Sequence, residues 1–507
     1  GKDFFLALLD FKLPFSSRFA SIHGMRVFFI GICGTAMGNA AILLKKQGVA
    51  VAGSDAGVYP PMSDVLLEAG IELFEGFDEE VLREWSADRV VVGNAVSRGN
   101  PQVEWLLRER LAPFVCLPQL IGEELIGTRP AVVVAGTHGK TTTTSLTAFA
   151  LSEAGVNPGY LVGGVPLDLP SGNELGDPDA PFVIEGDEYD SAFFDKRSKF
   201  IHYRPRILVL NNLEFDHSDI FRDLADVSRT FDHLLRIVPS DGFVLANGDD
   251  PNLAALPQPS WTTVLRVGLG PENDLRIVDF SEGPDGVVFR LLWRKAEVGE
   301  VKWNMPGEYN ARNAAMAALA SALAQAAAEG GEPDLAGNPF AESGLPPFEK
   351  CQGVKRRQEI LVDRDDLVVL SDFAHHPTAI LGALRSLRAR WPEYRLVACF
   401  EPRSNTAVTN VFQDAFTEAL GEADEILLGE IHRAERIDPA DRLDGQAMIR
   451  RLQEQGRAAE AFPTNQALGE SLLSRGFESE GKTLLVFLSN GSFDGVIGKV
   501  ASQLGVK

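Results

Sequence analysis

Residues 131–144 read Ala-Val-Val-Val-Ala-Gly-Thr-His-Gly-Lys-Thr-Thr-Thr-Thr, an apolar strand that runs into a glycine turn and the start of a helix. Gly136 and Gly139 allow the backbone to approach anionic oxygens, Lys140 adds a positive charge, and Thr141 offers a hydroxyl to Mg²⁺. The full phosphate-loop pattern has one more glycine upstream, where this chain has valine. The segment therefore predicts an ATP site built on a shortened loop, with a chance Gly- and Thr-rich turn as the alternative.

The length and charge of the chain limit its architecture and its partners. With 507 residues it is too long for one hydrophobic core, and we expect about three domains. Its 71 acidic and 48 basic side chains give a net charge of -23. This balance disfavours a nucleic-acid partner, because binding to nucleic-acid phosphates needs clustered Lys and Arg.

The cysteines and the apolar segments bear on the compartment. Four cysteines are widely spaced without a C-x-x-C pair, which argues against structural zinc and favours a reducing, cytoplasmic location. No window approaches the apolar length of a membrane span, so we expect no membrane partner. The apolar run at residues 4–9 is short for a signal peptide, and no signal-peptide cleavage site follows it. Met25 begins a predicted strand. We interpret residues 1–24 as an N-terminal extension.

Strand and helix patterns alternate along the rest of the chain, which predicts parallel α/β units. We expect a first domain at residues 25–122, a central domain at 123–345 and a third at 346–507. The predicted strands lie at residues 26–30, 49–53, 89–92, 182–185, 207–210, 367–370, 395–400, 425–428 and 483–487, besides the strand that begins at Ala131. An alanine-rich helix is predicted at 310–328, and the Pro- and Gly-rich residues 330–348 are the candidate hinge.

Glycines follow the first predicted strand. Gly31, Gly34 and Gly38 are spaced so that a pyrophosphate can lie on a helix N-terminus, and Ser54 and Asp55 follow the next strand, where a ribose contact belongs. The spacing G-x-x-G-x-x-x-G differs from the G-x-G-x-x-G of NAD sites. We therefore favour a nucleotide-diphosphate ligand, with NAD and simple turn packing as alternatives.

Two polar clusters end apolar strands of the central domain. Glu185, Asp187, Glu188 and Asp190 place four carboxylates within six residues, which is costly unless a cation such as Mg²⁺ neutralises them. A solvated acidic turn is the alternative. His217 follows another buried strand, where a histidine either has a structural role or ligates a second metal or orients the γ-phosphate.

Six short motifs follow one another along the chain. They are Gly-Thr-His-Gly-Lys-Thr-Thr (136–142), Glu-Gly-Asp-Glu (185–188), Asn-x-x-x-Asp-His (212–217), Pro-Gly-x-x-Asn-x-x-Asn-Ala (306–314), Arg-Arg (356–357) and Asp-Phe-Ala-His-His-Pro-Thr (372–378). From about residue 25 to its C-terminus the chain resembles the Mur ligases, the ATP-dependent amide-bond enzymes of peptidoglycan metabolism. The first motif combined with His-His-Pro-Thr is similar to the branch that uses a muramate substrate. Residues 190–200, 400–406 and 489–493 are similar to members that ligate a whole tripeptide.

The resemblance implies an α/β fold of three domains. A Rossmann-like N-terminal domain would hold the UDP-sugar, a central P-loop ATPase-type α/β domain would hold ATP, and a Rossmann-like C-terminal domain would hold the incoming amine. The implied cofactors are ATP and Mg²⁺. The implied small-molecule substrates are UDP-N-acetylmuramate and the cell-wall tripeptide L-alanyl-γ-D-glutamyl-meso-diaminopimelate, and we expect a monomer.

The resemblance also assigns residues by position. The implied catalytic residues are Lys140, Glu185, His217 and Arg357, and the implied metal ligands are Thr141, Glu185 and His217. The ATP-binding set is Gly136, Thr137, His138, Gly139, Lys140, Thr141, Thr142, Asn310, Asn313, Arg357 and Asp372, with Arg357 on the γ-phosphate after closure and Asp372 on the ribose. The UDP-sugar set is Gly31, Gly34, Thr35, Ala36, Met37, Gly38, Ser54, Asp55, Asn94 and His138. The candidates for the peptide carboxylates are Arg403, Ser404, Asn405, His432, Arg433, Asn490 and Gly491.

The chain departs from the family pattern at two places. The muramate-type pattern Gly-x-His-Asn is Gly307-Glu-Tyr309-Asn310 here, which leaves the role of that position open. Several relatives use a carbamylated lysine soon after the metal histidine, but residues 218–240 contain no lysine. If a second Mg²⁺ binds, another group must bridge it.

By analogy with the family, the γ-phosphoryl group of ATP would activate a carboxylate as an acyl phosphate, which the free amine then attacks. His376 or Asp187 would accept the proton of that amine. Three other interpretations are open: a ligase that adds free L-alanine, a dehydrogenase with NAD at Gly31 to Gly38, and a non-catalytic nucleotide switch.

Overall fold

The computed structural model describes residues 24–475, 477 and 481–505. The predicted N-terminal extension lies outside these residues except for Gly24. Contacts divide the chain into two units: unit 1 runs through Leu125 and takes in Asp190–Lys196, and unit 2 holds Ile126–Tyr189 and the chain from Arg197 onward. The three predicted domains are finer than this division, and their boundaries stay predictions. Within the described residues, no helix is both long and apolar enough to cross a membrane.

Unit 1 is built on a parallel sheet. Its elements in chain order are β1 (Arg26–Ile30), α1 (Thr35–Lys46), β2 (Ala50–Asp55), α2 (Met62–Glu68), β3 (Glu72–Glu75), α3 (Glu79–Trp85), β4 (Arg89–Val92), α4 (Pro101–Glu109), β5 (Phe114–Cys116) and α5 (Leu117–Leu120), followed by a π-helical segment, Ile121–Ile126. The strand order is β3-β2-β1-β4-β5. The order reverses at β1, and ligands of open α/β sheets bind beyond the carboxyl ends of the strands at such a point. The glycine turn after β1 lies at this position.

Residues 126–328 contain the central sheet. The elements in chain order are β6 (Ala131–Ala135), α6 (Lys140–Glu153), β7 (Gly159–Leu161), β8 (Asn173–Glu174), β9 (Phe182–Gly186), β10 (Asp190–Ala192), β11 (Asp195–Ser198), β12 (Ile207–Leu210), α7 (Leu224–Leu235), β13 (Phe243–Asn247), α8 (Pro251–Ala254), β14 (Thr263–Gly268), β15 (Leu275–Gly283), β16 (Gly286–Trp293), β17 (Ala296–Trp303) and α9 (Glu308–Ala328). Ten strands pair in the order β17-β16-β15-β14-β13-β12-β6-β9-β7-β8, while β10 pairs with β11.

The remainder of unit 2 forms another sheet. Its elements are β18 (Glu359–Asp363), β19 (Leu367–Asp372), α10 (Pro377–Arg390), β20 (Arg395–Phe400), α11 (Gln413–Leu420), β21 (Glu425–Leu428), α12 (Gly445–Glu454), β22 (Ala458–Ala461), α13 (Asn465–Leu473), β23 (Thr483–Leu488) and α14 (Val496–Gly505). The order is β18-β19-β23-β20-β21-β22, and every pair is parallel except β18 with β19. The predicted strands are confirmed within two residues at each end, and so is the α/β fold class.

The core of the central sheet depends on two helices. Alternate residues of β6 and β12 point to one face, where they join α6 and α9 in a single buried cluster. The helix α9 is apolar around its circumference, which is typical of a helix inside a core. Its alanines allow close packing against α6, and burial of Leu319 and Leu323 stabilises the fold by about 2 kcal/mol each.

Two features of the fold were not among the sequence predictions. The central sheet continues past β14 into the antiparallel pairs β15 with β16 and β16 with β17. The segment Asp190–Lys196 groups with unit 1 although it lies within the predicted central domain. The two antiparallel pairs are hairpins of strands adjacent in sequence, whereas the grouping of Asp190–Lys196 with unit 1 depends on contacts with segments distant in the chain.

Candidate active site

The order of three central strands brings the predicted motifs together. The phosphate-loop strand β6 lies between β9 and β12, and all three are parallel. The carboxyl ends of parallel strands meet at one edge of a sheet. The glycine turn after β6, Glu185 at the end of β9, and Asn211 and Asn212 after β12 therefore share that edge.

The phosphate loop needs its two glycines. Gly136 and Gly139 have φ values of +139° and +80°, which side chains rarely adopt. A Cβ on Gly139 would lie 2.7 Å from Oδ1 of Asn313 and 2.9 Å from Nδ2 of Asn211. The loop amide of His138 donates to Oδ1 of Asn212 over 2.7 Å. The turn is thus tightly enclosed by asparagines of neighbouring segments.

Lys140 is held in a buried ion pair. Its Nζ lies 3.0 Å from Oε2 of Glu188 and donates to the carbonyl of Gly136 over 2.8 Å. Burial acts to lower the pKa of Lys140, but the carboxylates of Glu188 and Asp187 outweigh it and raise that pKa. Burial opposes the charge of Glu188 too, yet Lys140 and His217 lower its pKa to about 2. Both groups are therefore charged at neutral pH.

Two of the implied metal ligands are in direct contact. The hydroxyl of Thr141 donates to Oε2 of Glu185 over 3.0 Å, and the amide of Gly163 donates to the other carboxylate oxygen. Burial and then the charge of Asp187 raise the pKa of Glu185. A hydroxyl and a carboxylate next to a phosphate loop are the oxygen ligands that Mg²⁺ prefers. A cation there would relieve the unfavourable charge that raises this pKa.

His217 lies on the opposite side of Glu188. Its Nε2 is 2.9 Å from Oε1 of Glu188, and its Nδ1 is 2.8 Å from the hydroxyl of Tyr189. Burial lowers the pKa of His217, but the bond to Glu188 and the charge of Asp216 outweigh burial and raise it. Glu188 thus joins Lys140 to His217. Glu188 belonged to a recognised motif but was not in the predicted site set, because sequence shows no pairing across strands.

Arg357 contacts the phosphate loop from the segment just before β18, the first strand of the sheet formed by β18 to β23, which we call the third sheet. Its guanidinium donates to the hydroxyl of Thr141 over 3.4 Å, and it lies over the ring of Phe373 at 4.4 Å. Burial lowers the pKa of Arg357, and the nearby Asp372 partly opposes this. Asp372, at the end of β19, accepts from the amides of Gln358 and Ala374 over 2.9 and 2.6 Å.

Asn310 and Asn313, two members of the implied ATP-binding set, lie on the first turns of α9. The side-chain amide of Asn310 donates to the carbonyl of Pro306 over 2.7 Å, and that of Asn313 donates to Oδ1 of Asn310 over 3.2 Å. Both asparagines are buried. The structure therefore places Asn313 against Gly139 of the loop, with Asn310 one turn behind it.

Tyr309 occupies the position where the chain departs from the family pattern. Its buried hydroxyl accepts from the side-chain amide of Gln358 over 2.5 Å, and the same amide nitrogen lies 3.0 Å from the hydroxyl of Ser386. Because the backbone amide of Gln358 donates to Asp372, the tyrosine joins α9 to the implied ribose carboxylate.

Three polar groups of unit 2 converge beside the loop. Nε2 of His138 lies 3.2 Å from Nδ1 of His376, and Oε2 of Glu214 lies 3.3 Å from that Nδ1. The hydroxyl of Thr378 donates to the same oxygen of Glu214 over 2.6 Å. Burial and then the charge of His138 lower the pKa of His376 to about 4. We call His138, Glu214 and His376 the histidine cluster. His138 belonged to the predicted set as an ATP and UDP-sugar contact, His376 was one of two candidate bases, and Glu214 was not predicted.

The candidate peptide residues gather at the carboxyl ends of β20 and β23. Buried Glu401 accepts from Arg403 over 3.0 Å and from Asn465 over 2.9 Å. A Cβ on Gly491 would collide with the side chain of Arg403. The structure thus brings Arg403 and Gly491 together. Two other candidates follow β20: Ser404 accepts from the amide of Ala407, and Asn405 donates to Asp219. The backbone amide of His432 donates to the carbonyl of Pro402, and Arg433 is exposed with a φ of +51°. Asn490 is half-buried.

The candidate UDP-sugar residues lie in unit 1, except His138, which lies in unit 2. Gly34, Thr35 and Ala36 are exposed at the N-terminus of α1, where free amides favour an anion. Others are enclosed: Gly31 donates to the carbonyl of Ser54 with a φ of +89°, Met37 and Gly38 are buried, Asp55 accepts from the amide of Cys33, and the hydroxyl of Ser54 donates to buried Gln102. Asn94 is exposed. The exposed helix end and Asn94 are therefore the parts of this set open to a ligand.

Comparison with known proteins defines the class. Three family profiles match: "Mur ligase family, catalytic domain" at residues 26–125, "Mur ligase middle domain" at 134–322 and "Mur ligase, glutamate ligase domain" at 356–489. The chain therefore belongs to the Mur ligase family. Its members are ATP-dependent ligases of cell-wall metabolism that act on small molecules.

Particular relatives are similar to this chain over most of its length. The UDP-N-acetylmuramate--L-alanyl-gamma-D-glutamyl-meso-2,6-diaminoheptandioate ligase of Escherichia coli (strain K12) is 43% identical over 80% of this chain and 84% of its own. A UDP-N-acetylmuramate--L-alanine ligase of Desulfosudis oleivorans is 30% identical over 86% and 89%. The crystal structure of a murein peptide ligase from Psychrobacter arcticus 273-4 has a TM-score of 0.65 at 32% identity, covering 96% of this chain and 99% of that one.

The enclosure of Gly139 predicts the effect of one methyl group. Gly139→Ala should lower stability by about 1–2 kcal/mol through its positive φ, and it should also push Asn313 out of place. We expect ATP affinity to fall about tenfold or more, since each 1.4 kcal/mol is a factor of ten. Calorimetric titration with ATP and Mg²⁺ measures the affinity, and thermal unfolding measures the stability.

Gly155→Ala is the matched control. Gly155 has a φ of +81°, yet a Cβ there would meet nothing within 4 Å. This variant should share the loss of stability and keep the affinity for ATP. An equal loss of affinity in both variants would contradict the role of the asparagine contacts.

Tyr309→Phe tests the link between α9 and Gln358. The ring would remain packed, but the amide of Gln358 would lose one acceptor, which costs about 1 kcal/mol of the free energy of unfolding. Urea unfolding measures this, with exposed Tyr59→Phe as a control that should cost nothing measurable. If Tyr309→Phe is as stable as the parent, the hydrogen bond does not contribute.

Proposed function

We propose that this chain joins the tripeptide L-alanyl-γ-D-glutamyl-meso-diaminopimelate to UDP-N-acetylmuramate, with ATP converted to ADP and phosphate. The observation that carries the proposal is the convergence of Lys140, Thr141, Glu185 and Arg357 at one edge of the central sheet. The 43% identity to a ligase named for these substrates supports the choice of substrates.

The chemical problem is that a carboxylate resists attack by an amine. In the proposed sequence an oxygen of the lactoyl carboxylate bonds to the γ-phosphorus of ATP while the bond to ADP breaks. The amine of L-alanine then bonds to the carbonyl carbon, phosphate leaves, and a base takes the amine proton. The first step brings two anions together, so catalysis consists largely of positioning and charge neutralisation.

The charges of this chain suit that first step. Lys140 and Arg357 are cations near Thr141, and both are partly buried, where their field is screened less than in water. Thr141 and Glu185 would hold Mg²⁺, with His217 as the further candidate ligand, and the ion would supply additional charge neutralisation. Asn310, Asn313 and Asp372 would hold the nucleoside.

The second step needs a proton acceptor. Burial and the charge of His138 lower the pKa of His376 to about 4, so its ring is neutral at pH 7 and one ring nitrogen carries no proton. Asp187, the other candidate, forms an ion pair with Lys199 at 3.1 Å. These observations favour His376 as the base.

The other proposed features follow from this reaction. UDP-N-acetylmuramate would bind at the N-terminus of α1, and the peptide carboxylates would lie near Arg403. We propose residues 330–348 as a hinge that lets the third sheet close over the site and exclude water. We also propose that the chain is a cytoplasmic monomer.

Phosphate release tests the function directly. The chain with ATP and Mg²⁺ should release phosphate quickly with UDP-N-acetylmuramate plus tripeptide, and far more slowly with UDP-N-acetylmuramate plus L-alanine or with either substrate alone. Mass spectrometry should detect the amide product. Faster release with free L-alanine would support the alanine ligase instead, and release without any acceptor would indicate a nucleotide switch.

Lys140→Ala should abolish this turnover while UDP-N-acetylmuramate still binds, because the predicted sugar residues other than His138 lie in unit 1 and Lys140 lies in unit 2. Calorimetry with the UDP-sugar measures the binding. Lys199→Ala is the control, since it removes a nearby lysine that pairs with Asp187 rather than contacting the phosphate loop, and it should retain most activity. Loss of sugar binding in Lys140→Ala, with the fold intact, would contradict the separation of the two sites.

A further inference from the structure

The histidine cluster brings three potential metal-ligand atoms close together. Nδ1 of His376 lies 3.2 Å from Nε2 of His138 and 3.3 Å from Oε2 of Glu214. The distance from Nε2 of His138 to Oε2 of Glu214 is 3.6 Å. All three atoms are potential ligands of a metal ion. They belong to unit 2, with His138 and Glu214 beside the central sheet and His376 at the start of α10.

The proton positions leave lone pairs facing one another. Nε2 of His376 lies 3.2 Å from the carbonyl of Phe215, which only accepts, so this nitrogen carries the hydrogen and Nδ1 does not. The hydroxyl of Thr378 donates to Oε2 of Glu214 over 2.6 Å, so this oxygen is an acceptor. Two acceptor atoms therefore face Nε2 of His138, and either a hydrogen on that nitrogen or a metal ion can satisfy them.

The spacing fits a tetrahedral metal. Ligands about 2.0–2.1 Å from a tetrahedral zinc ion are separated from one another by about 3.3 Å, and the three observed separations bracket this value. The bond from His376 to the carbonyl of Phe215 is the outer contact that usually orients a metal-binding histidine. The ring of Phe412 covers His376 at 4.9 Å.

We propose that His138, Glu214 and His376 bind a divalent transition-metal ion of the zinc class through Nε2, Oε2 and Nδ1, with a fourth position open to water. Two imidazoles and one carboxylate suit zinc better than Mg²⁺, which prefers oxygen ligands. The site is separate from the ligands at Thr141 and Glu185.

Occupancy of the site would inhibit the enzyme. A metal on Nδ1 would use the lone pair of His376, and it would fasten α10 to the phosphate loop through His138. This consequence rests on the proposed function, because it takes His376 as the base. Metal binding itself does not depend on that function.

Cobalt is the probe, because Co²⁺ replaces zinc and tetrahedral Co²⁺ absorbs strongly in the visible range, whereas octahedral Co²⁺ absorbs weakly. Co²⁺ is titrated into the full chain in excess Mg²⁺, and Zn²⁺ binding is measured by equilibrium dialysis. We expect strong visible bands, one Zn²⁺ per chain competing for the same site, and loss of turnover as Zn²⁺ binds.

Variants assign the bands. Glu214→Gln and His376→Gln should each lose the tetrahedral bands and weaken Zn²⁺ binding by more than the roughly 10–100-fold seen when only an outer contact is removed. His233→Gln, which changes an exposed histidine on α7, should keep both. Thermal unfolding identifies any variant that fails to fold, and Glu214→Gln changes one atom of the side chain.

The possible outcomes are distinct. Absence of tetrahedral bands, or bands that persist in both cluster variants, would overturn the site and leave a shared proton as the explanation. Cobalt bands in a chain without ligase turnover would support the site while the proposed function fails. Zinc binding at the cluster without inhibition would argue against His376 as the base.

Discussion

The buried ion pair between Lys140 and Glu188 is the interaction on which the candidate site depends. A lysine out of water is unfavourable unless a partner is close, and removing one partner of a buried pair costs about 3–5 kcal/mol. Glu188 is shared with His217 on its other side, so one carboxylate fixes two cationic groups. This arrangement aligns the lysine with the phosphate loop before any nucleotide binds.

Residues of the third-sheet region contact the candidate site at the edge of the central sheet. Arg357 contacts Thr141 across the two sheets, Thr378 contacts Glu214, and Gln358 contacts Tyr309. In each contact, one residue belongs to the region of the central sheet. The other lies just before β18 or at the start of α10. The site is thus an assembly of two sheets, which suits a reaction that must exclude water between its two steps.

The sequence predicted the parts of the site that are contiguous in the chain. A strand, a glycine turn and a helix in the order of residues 131–144 can form only a small set of local structures, so the phosphate loop followed from sequence alone. The helix at Glu308–Ala328 and most strand positions followed in the same way, because hydrophobic periodicity is a local signal. The family resemblance extended this to Arg357 and Asp372 through their motifs.

Sequence by itself therefore determined the α/β class, the phosphate loop and the chemical types of its partners. Only the tertiary structure decided that β6 lies between β9 and β12, that Glu188 pairs with Lys140, and that His376 meets His138 across 238 residues of chain. The physical reason is that local structure follows from neighbouring residues, whereas contacts between distant segments follow from strand order and packing, which no single segment encodes.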